Sequence, residues 1–509
     1  MRAYKDGDLK PYFSLAYNDL DSALKIPRYP KRQQLTKALT NTAKRFNASR
    51  EVFASIEALA KPETMVVVAG QQTGLLLGPY YTISKAVSAI KLAKELSKKA
   101  KPVVPVFWIA SQDHDYEEVN HAHLLDNLED VSRLDIELPK GMPIARIALQ
   151  DEWLEDLLTA IDELSYGSEY KDEVGKFLTD SFELADSYSD WFVAMLYKLL
   201  GRYGLIIIDP MQKDVAALFK PIYLRELDNP LASSRLINQA AESLTSLGYK
   251  PQIGRAERAT NLFLEEDGKR VLLNYVDGKF LTDKKNYNKD DLVRIIDKDA
   301  SMLTPAAGLR PICQDFILPT AAMVVGPGEL AYFAQLKAVY ELNGVAMPLI
   351  YPRLRITISE PPVTRIMKKF GLELPDIADL ESIKIEKALE ASGHKEQFDS
   401  KVNLLEESFE EMLQSIQEID PSLNKTIIKA EEHLQKTLDT LKRKSARAQL
   451  NKHCVYEQQF TRLEKQLFPL GIPQERIISP FSYFLKFGIG YMMQRFMEMP
   501  SHGSHMLEI

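Results

Sequence analysis

The stretch from Met65 to Leu96 constrains the fold of this chain more than any other. Val66, Val67 and Val68 form a short β-branched apolar run, as a strand buried on both faces requires. Gly70, Gly74 and Gly78 then free the backbone and Pro79 fixes a turn. From Tyr81, apolar residues recur at helical spacing through Ile83, Val87, Ile90 and Leu96. Strand, glycine turn and helix in this order are the repeating unit of a doubly wound parallel sheet. Such a turn aims backbone N–H groups and the positive end of a helix dipole at one point, where an anion such as phosphate can sit. Every sheet of this kind needs the turn, so a purely structural reading stands beside the phosphate reading. No Gly-Lys-Ser/Thr follows, and the glycine spacing departs from the dinucleotide fingerprint.

Four further segments continue the pattern. Pro102 to Ala110 is a second apolar run, and it empties into Ser-Gln-Asp-His-Asp-Tyr-Glu-Glu-Val-Asn-His-Ala-His, with Asp113, His114 and Asp115 where a ligand crevice would lie. His114, His121 and His123 have ligand chemistry but match no zinc spacing, so substrate contacts, a metal and an ordinary capped loop are all open. Gly204 to Pro210 ends in Asp209. Thr320 to Gly328 gives a second strand and glycine turn, with Glu329 opening a helix through Leu336 and Val339. Ala346 to Tyr351 leads into Arg353 and Arg355, which suit bidentate binding of phosphate or carboxylate.

Between these runs, residues 1 to about 62 and 141–200 read as helical. Residues 249–315 hold short β-like runs with turns at Asp267-Gly268 and Asp277-Gly278, which are hairpin signals. From about Lys384 the sequence becomes a charged helix in which Val402, Leu405, Phe409, Met412, Ile416 and Ile419 alternate three and four apart. Asp420-Pro421-Ser422 breaks this seam, and it resumes through Leu423, Ile427, Ala430, Leu434 and Leu441. An antiparallel helical hairpin follows from that pattern. The expected organisation is a Rossmann-like core over residues 1–380 with insertions at about 141–200 and 249–315, a helical coiled coil over 381–467, and a segment at 468–509 that returns to the core.

At 509 residues and 45% hydrophobic, the chain can bury a large core, and its net charge of -7 argues against general nucleic-acid binding. Lys442-Arg443-Lys444 lies in helical sequence and reads as a solvated face. No stretch is long and apolar enough to span a bilayer, and the first residues lack an apolar signal core, so no membrane association and a cytoplasmic location are expected. Cys313 and Cys454 cannot build a disulfide framework and read as buried small residues.

As a set, several motifs resemble the cysteine ligase family of bacillithiol biosynthesis. They are Gly70-Gln71-Gln72-Thr73-Gly74, Gly78-Pro79 with Thr82 and Lys85, Asp113-His114-Asp115 with Glu118 and Asn120-His121, and Asn261-Leu262-Phe263. The set continues with Arg310-Pro311 and Gln314-Asp315, Gly326-Pro327-Gly328-Glu329 with Tyr332, Pro352-Arg353, Gln474-Glu475-Arg476 and His505. One departure is Gln112-Asp113, where the family carries an acidic run.

The resemblance implies a core similar to class I aminoacyl-tRNA synthetases, connecting-peptide insertions, and a coiled coil that pairs two subunits as a homodimer. It implies joining L-cysteine to the amine of glucosaminyl-malate with ATP and Mg²⁺. In that scheme Gly70, Gln71, Gln72, Gly74, Gly78, Pro79 and Thr82 cradle ATP phosphates, and Lys85 supplies positive charge to the reacting phosphate. Gly326, Gly328, Glu329 and Tyr332 lie beside the ribose, and Arg353 and Arg355 near a second phosphate loop. Asp113, His114 and Asp115 face the amine, with His114 as base, while Asn120, His121, Gln314 and Asp315 hold substrate. The alternatives are a related nucleotide-dependent enzyme acting on another amine and a non-catalytic nucleotide-binding scaffold.

Overall fold

The computed structural model describes residues 2–27, 32–99, 101–126, 128–165, 167–391, 393, 395–450 and 454–509, without the side chains of residues 421, 449, 450 and 454. Cys454, noted above, therefore lies outside the described side chains. The chain divides into two compact units, one of residues 1–356 with 475–505 and one of 357–474 with 506–509.

In chain order the first unit contains β1 (Met65–Gln71), β2 (Val103–Ile109), β3 (His121–Leu125), β4 (Val131–Asp135) and β5 (Ile206–Ile208). There follow β6 (Ala259–Glu266), β7 (Lys269–Val276), β8 (Lys279–Leu281), β9 (Asn286–Tyr287), β10 (Leu303–Pro305), β11 (Thr320–Val325) and β12 (Leu349–Pro352). The five apolar runs read from the sequence form one parallel sheet in the order β12-β11-β1-β2-β5. Representative registers are Val67 opposite Pro105, Val68 opposite Met323, and Met323 opposite Ile350. Val66, Val67 and Val68 are fully buried, which is why the run is continuous rather than alternating. Gly70 is required by the sheet itself: a Cβ there would stand 2.9 Å from the Trp108 carbonyl oxygen on the neighbouring strand.

The segment 249–315 supplies an antiparallel sheet in the order β10-β6-β7-β8-β9. Its Asp-Gly turns have positive φ at both residues (51° and 74° at Asp267-Gly268, 50° and 79° at Asp277-Gly278), as hairpins of this twist demand. One expectation changes. The histidine-rich segment after β2 is not all loop: His121 and His123 sit on β3, which pairs with β4, because Ala122 and Leu124 alternate with them as buried residues. Within 141–200 the helix Tyr188–Leu200 is buried almost throughout, having apolar residues on all faces.

The second unit is helical. Its core joins Val363, Ile366, Met367 and Phe370 to Leu380, Phe460, Leu463 and Leu467. The helices Lys395–Ile419 and Asn424–Leu450 fold back on each other around the break at Pro421–Leu423. The residues expected to form one seam divide into two stripes. Val402, Phe409 and Ile416 are half-buried with Leu413 between them, whereas Leu405, Met412 and Ile419 are 47%, 48% and 81% exposed. The hairpin covers one side of the heptad pattern and leaves a second apolar row, spaced by seven, open. Among the described residues, no helix is long and apolar enough to cross a membrane.

Candidate active site

At the carboxyl edge of the parallel sheet lies a cavity of about 440 Å³, within the range of small-molecule sites. Its floor comes from Gly70, Gln71 and Gln72 at the end of β1, with Tyr81 and Lys85 from the helix Tyr81–Ser97. One wall is Gly326, Pro327, Gly328, Glu329 and Tyr332 after β11. The remainder includes Trp108, Glu118, Gln252, Ile253, Arg310, Gln314, Arg353 and Arg476.

Lys85 organises the floor. Its ammonium lies 3.0 Å from the Gly70 carbonyl oxygen, 2.7 Å from Gln71 Oε1 and 2.9 Å from Glu329 Oε2. An ammonium has three donors, so all are engaged. Burial lowers the lysine pKa, and the Glu329 carboxylate opposes that shift. Glu329 also accepts the Gly326 N–H at 2.7 Å, which fixes the turn after β11. Thr82 shares a motif with Lys85, but Tyr81, one helical turn before Lys85, is its neighbour at the cavity. The Tyr81 hydroxyl accepts from Gln71 Nε2 at 3.1 Å, and its ring centroid lies 5.4 Å from the Lys85 ammonium.

The glycine loop has a different character from a phosphate cradle. Leu75, Leu76 and Leu77 are buried, and Leu76 and Leu77 hold positive φ of 47° and 65°. Left-handed backbone costs such residues about 1–2 kcal/mol each, so the surroundings must enforce it. They do so through backbone bonds: the N–H groups of Gly74, Leu75, Gly78, Tyr80 and Thr82 donate to the carbonyls of Gln72, Val119, Leu75, Ile478 and Pro79. Gly74, Gly78, Pro79 and Thr82 do not line the cavity, and the Thr82 hydroxyl is buried without a partner among the described residues.

Asp113 stands behind the cavity rather than in it. Arg310 Nη2 donates to it at 2.6 Å, Arg270 Nη1 at 3.3 Å and Gln72 Nε2 at 3.4 Å. Burial would raise the Asp113 pKa, but the two guanidinium groups outweigh it and hold it below the usual value. Arg270 is itself locked by Thr304 Oγ1, the Pro305 carbonyl and the Phe263 ring at 3.9 Å, which gives the Asn261-Leu262-Phe263 motif a supporting role. His114 Nδ1 lies 3.2 Å from Arg270 Nη1, and burial together with that cation lowers its pKa. His114 and the exposed Asp115 are not among the lining residues; Glu118, which closes the short helical turn Tyr116–Glu118 after them, is. Burial and the charge of Asp115 raise the Glu118 pKa, partly offset by a hydrogen bond from Gln72.

The remaining expected residues separate in the same way. Gln314 lines the cavity, while Asp315 is buried beneath it on the Gln314 amide and the Tyr340 hydroxyl at 3.1 Å and 2.5 Å. Asn120 and His121 pair with each other at 3.2 Å, away from the lining. Arg353 lines the cavity, but Glu475 takes its guanidinium bidentately at 2.7 Å and 2.7 Å; Arg355 also reaches Glu475, at 3.3 Å, and does not line the cavity. Asp209, after β5, accepts from Ser111 and is pushed up to about 6 by burial. Among the described residues, no group of three or more His, Cys, Asp or Glu is placed to hold a metal ion.

Sequence reasoning gave no role to Trp108, Glu118, Gln252, Ile253, Arg310 or Arg476. Glu118, Arg310 and Arg476 did fall within the family motifs. Gln252 and Ile253 had no signal, since the buried Gln335 amide fixes that strap through both their N–H groups, at 2.8 Å and 2.9 Å.

The family model described as "Bacillithiol biosynthesis BshC, N-terminal Rossmann-like domain" matches residues 4–354, and its companion, the "C-terminal coiled-coil domain", matches 356–509. A Thermus thermophilus protein named "Putative cysteine ligase BshC" is 36% identical over 493 residues, 95% of each chain. One of the same name from a Geobacillus strain is 32% identical over 475 residues, 91% of this chain and 87% of the other. A solved Campylobacter jejuni structure titled as an arginyl-tRNA synthetase covers 93% of this chain and 99% of its own at 13% identity, with a TM-score of 0.25, too weak a likeness to carry inference.

Proposed function

Since this chain belongs to the BshC family of bacillithiol biosynthesis, we propose that it is a ligase joining the carboxyl group of L-cysteine to the amine of glucosaminyl-malate, driven by ATP. The observation that carries this reading is the polar make-up of the cavity, where the Lys85–Glu329 pair, Glu118 and Arg476 converge from different elements on one sheet edge.

A carboxylate and an amine do not condense usefully in water, so the carboxyl oxygen must first be made a leaving group; that activation is what ATP supplies when bound. The residues fit an anionic ligand of this kind. The Trp108 indole N–H and the Arg310 Nε–H are buried donors without partners among the described residues, and Gly328 has open space where a side chain would stand. Gly326, Gly328, Glu329 and Tyr332 would hold the nucleotide with Gln71 and Gln72. Mg²⁺ would be held mainly by phosphate oxygens, with Glu329 or Glu118 as the available carboxylates.

In the transfer step, the amine nitrogen attacks the cysteine carbonyl carbon, the C–N bond forms, the activated C–O bond breaks, and the amine proton passes to a base. Glu118 is the carboxylate within the cavity whose raised pKa suits that role, with Gln72 orienting it. His114 is a poorer candidate in its pairing with Arg270. Asp113, through Arg310 and Gln72, positions the groups in front of it. Thiol profiling tests the reading: cells lacking this gene should accumulate glucosaminyl-malate and lack bacillithiol, and the wild-type gene should reverse both. Normal bacillithiol in the deletion strain would overturn it.

The exposed row Leu405, Met412 and Ile419 supports a homodimer formed through the helical hairpin. The double variant L405K/M412K puts two cations on that row and should sediment as a folded monomer. A double variant that remains dimeric would move the interface elsewhere.

A further inference from the structure

We propose that Arg476 is the anion-recognition residue of the cavity, taking a phosphate or carboxylate group of the ligand on its guanidinium. The inference rests on the ligase reading for the identity of that ligand and on geometry for the rest. Four cations line the cavity. Lys85 is held by Glu329, Arg310 by Asp113 and Arg353 by Glu475. Arg476 is the one with no ion pair or hydrogen bond among the described residues. After internal pairing it is the cation left for an incoming anion.

Its backbone is nevertheless fixed. On one side Glu475 is buried and bonded to Arg353 and to the Ile356 N–H at 3.3 Å. On the other, the Ile478 carbonyl accepts the Tyr80 N–H at 2.8 Å, the Ser479 N–H donates to the His123 carbonyl at 2.9 Å, and the Ser479 hydroxyl donates to the Leu76 carbonyl at 2.9 Å. Two of these bonds, Tyr80 to Ile478 and Ser479 to Leu76, also tie down the strained leucine loop, and together they hold the backbone around Arg476 at the cavity while its side chain is exposed. A pinned backbone with a free planar fork is preorganised for an oxyanion. Burial lowers the Lys85 pKa and raises that of Tyr81, and the charge of Arg476 adds a smaller downward push to each, so it is felt at the floor.

Two ligand groups share this chemistry, a nucleotide phosphate and the carboxylates of the malyl group. The test measures binding of ATP, adenosine, glucosaminyl-malate and methyl glucosaminide to the full chain and to R476A and R476K. R476A should weaken one anionic probe about 10- to 100-fold, as expected for charged hydrogen bonds, and leave its neutral counterpart unchanged. The probe affected identifies the group. R476K should recover only part of the loss, because a point charge lacks the fork. Melting temperature should not move, since the side chain is exposed. Unchanged affinity for both anionic probes would overturn the proposal. If the wild-type chain binds neither ATP nor glucosaminyl-malate, the ligase reading fails and Arg476 is judged on pyrophosphate and malate: binding lost in R476A supports it, and no difference overturns it.

Discussion

Replacing Lys85 with alanine is expected to lower kcat/KM about 30- to 1000-fold, the effect of losing roughly 2–4 kcal/mol of preorganised electrostatics. The structure adds a route to that loss. Lys85 holds Gln71 and Glu329 in register and joins the turn after β1 to the turn after β11. Without it, the Glu329 carboxylate, whose side chain is 23% exposed, loses the ammonium that stands 2.9 Å from its Oε2. The melting temperature should therefore fall as well, by a few degrees. If Lys85 acts by holding Glu329, the double variant K85A/E329Q should be little worse than K85A, because coupled residues are not additive. K85R should rescue poorly, since a planar fork cannot meet three acceptors arranged around one nitrogen. Steady-state kinetics with parallel melting curves check both parts; a K85A protein with wild-type turnover would remove the β1 turn from the reaction.

The second large effect is expected at Glu475. Its side chain is 4% exposed and that of Arg353 3%, so E475Q leaves a buried guanidinium without its counter-charge. Breaking such a pair from one side costs about 3–5 kcal/mol. Denaturant titration should show the first unit losing this much, with Arg476 function falling too as its anchor loosens. The effect carries a pH signature. Burial would raise the Glu475 pKa, but the hydrogen bonds and charge of Arg353 outweigh it and lower the folded value. The stabilisation is thus complete above the pKa of an unfolded glutamate, about 4.3, and disappears as pH falls through the lower folded value. Wild type should lose stability steeply below about pH 4. E475Q should lack that component, so the two curves should converge in acid.

The parallel sheet was legible because its strands are short runs of Val and Ile with Gly or Pro at their ends, a pattern that burial on both faces imposes directly. The hairpin turns were legible for a similar reason, since Asp-Gly matches a pair of positive φ angles. The β3–β4 hairpin was obscured by its two histidines, whose alternation with Ala122 and Leu124 is a period of two hidden in polar sequence. The coiled-coil pattern gave the two helices but not which stripe each covers, because heptad spacing is the same for an internal seam and an open one.

Site residues were harder to read. Lys85, Gln71 and Glu329 come from two turns far apart in sequence, and only the sheet order brings them together. Arg353 had the right chemistry for a phosphate clamp, but no local pattern reveals that Glu475 occupies it. Arg476 has no such partner among the described residues, so partner assignment, rather than residue type, separates the two arginines.

The most direct test is reconstitution of the reaction. The purified chain is incubated with isotopically labelled L-cysteine, glucosaminyl-malate, ATP and Mg²⁺, and the products are followed by mass spectrometry, with E118Q in parallel. The account predicts an amide whose mass is the sum of cysteine and glucosaminyl-malate less one water, formed only with ATP, and formed far more slowly by E118Q. A folded wild-type protein that forms no such amide, or that transfers labelled cysteine to a different amine in preference, would contradict it.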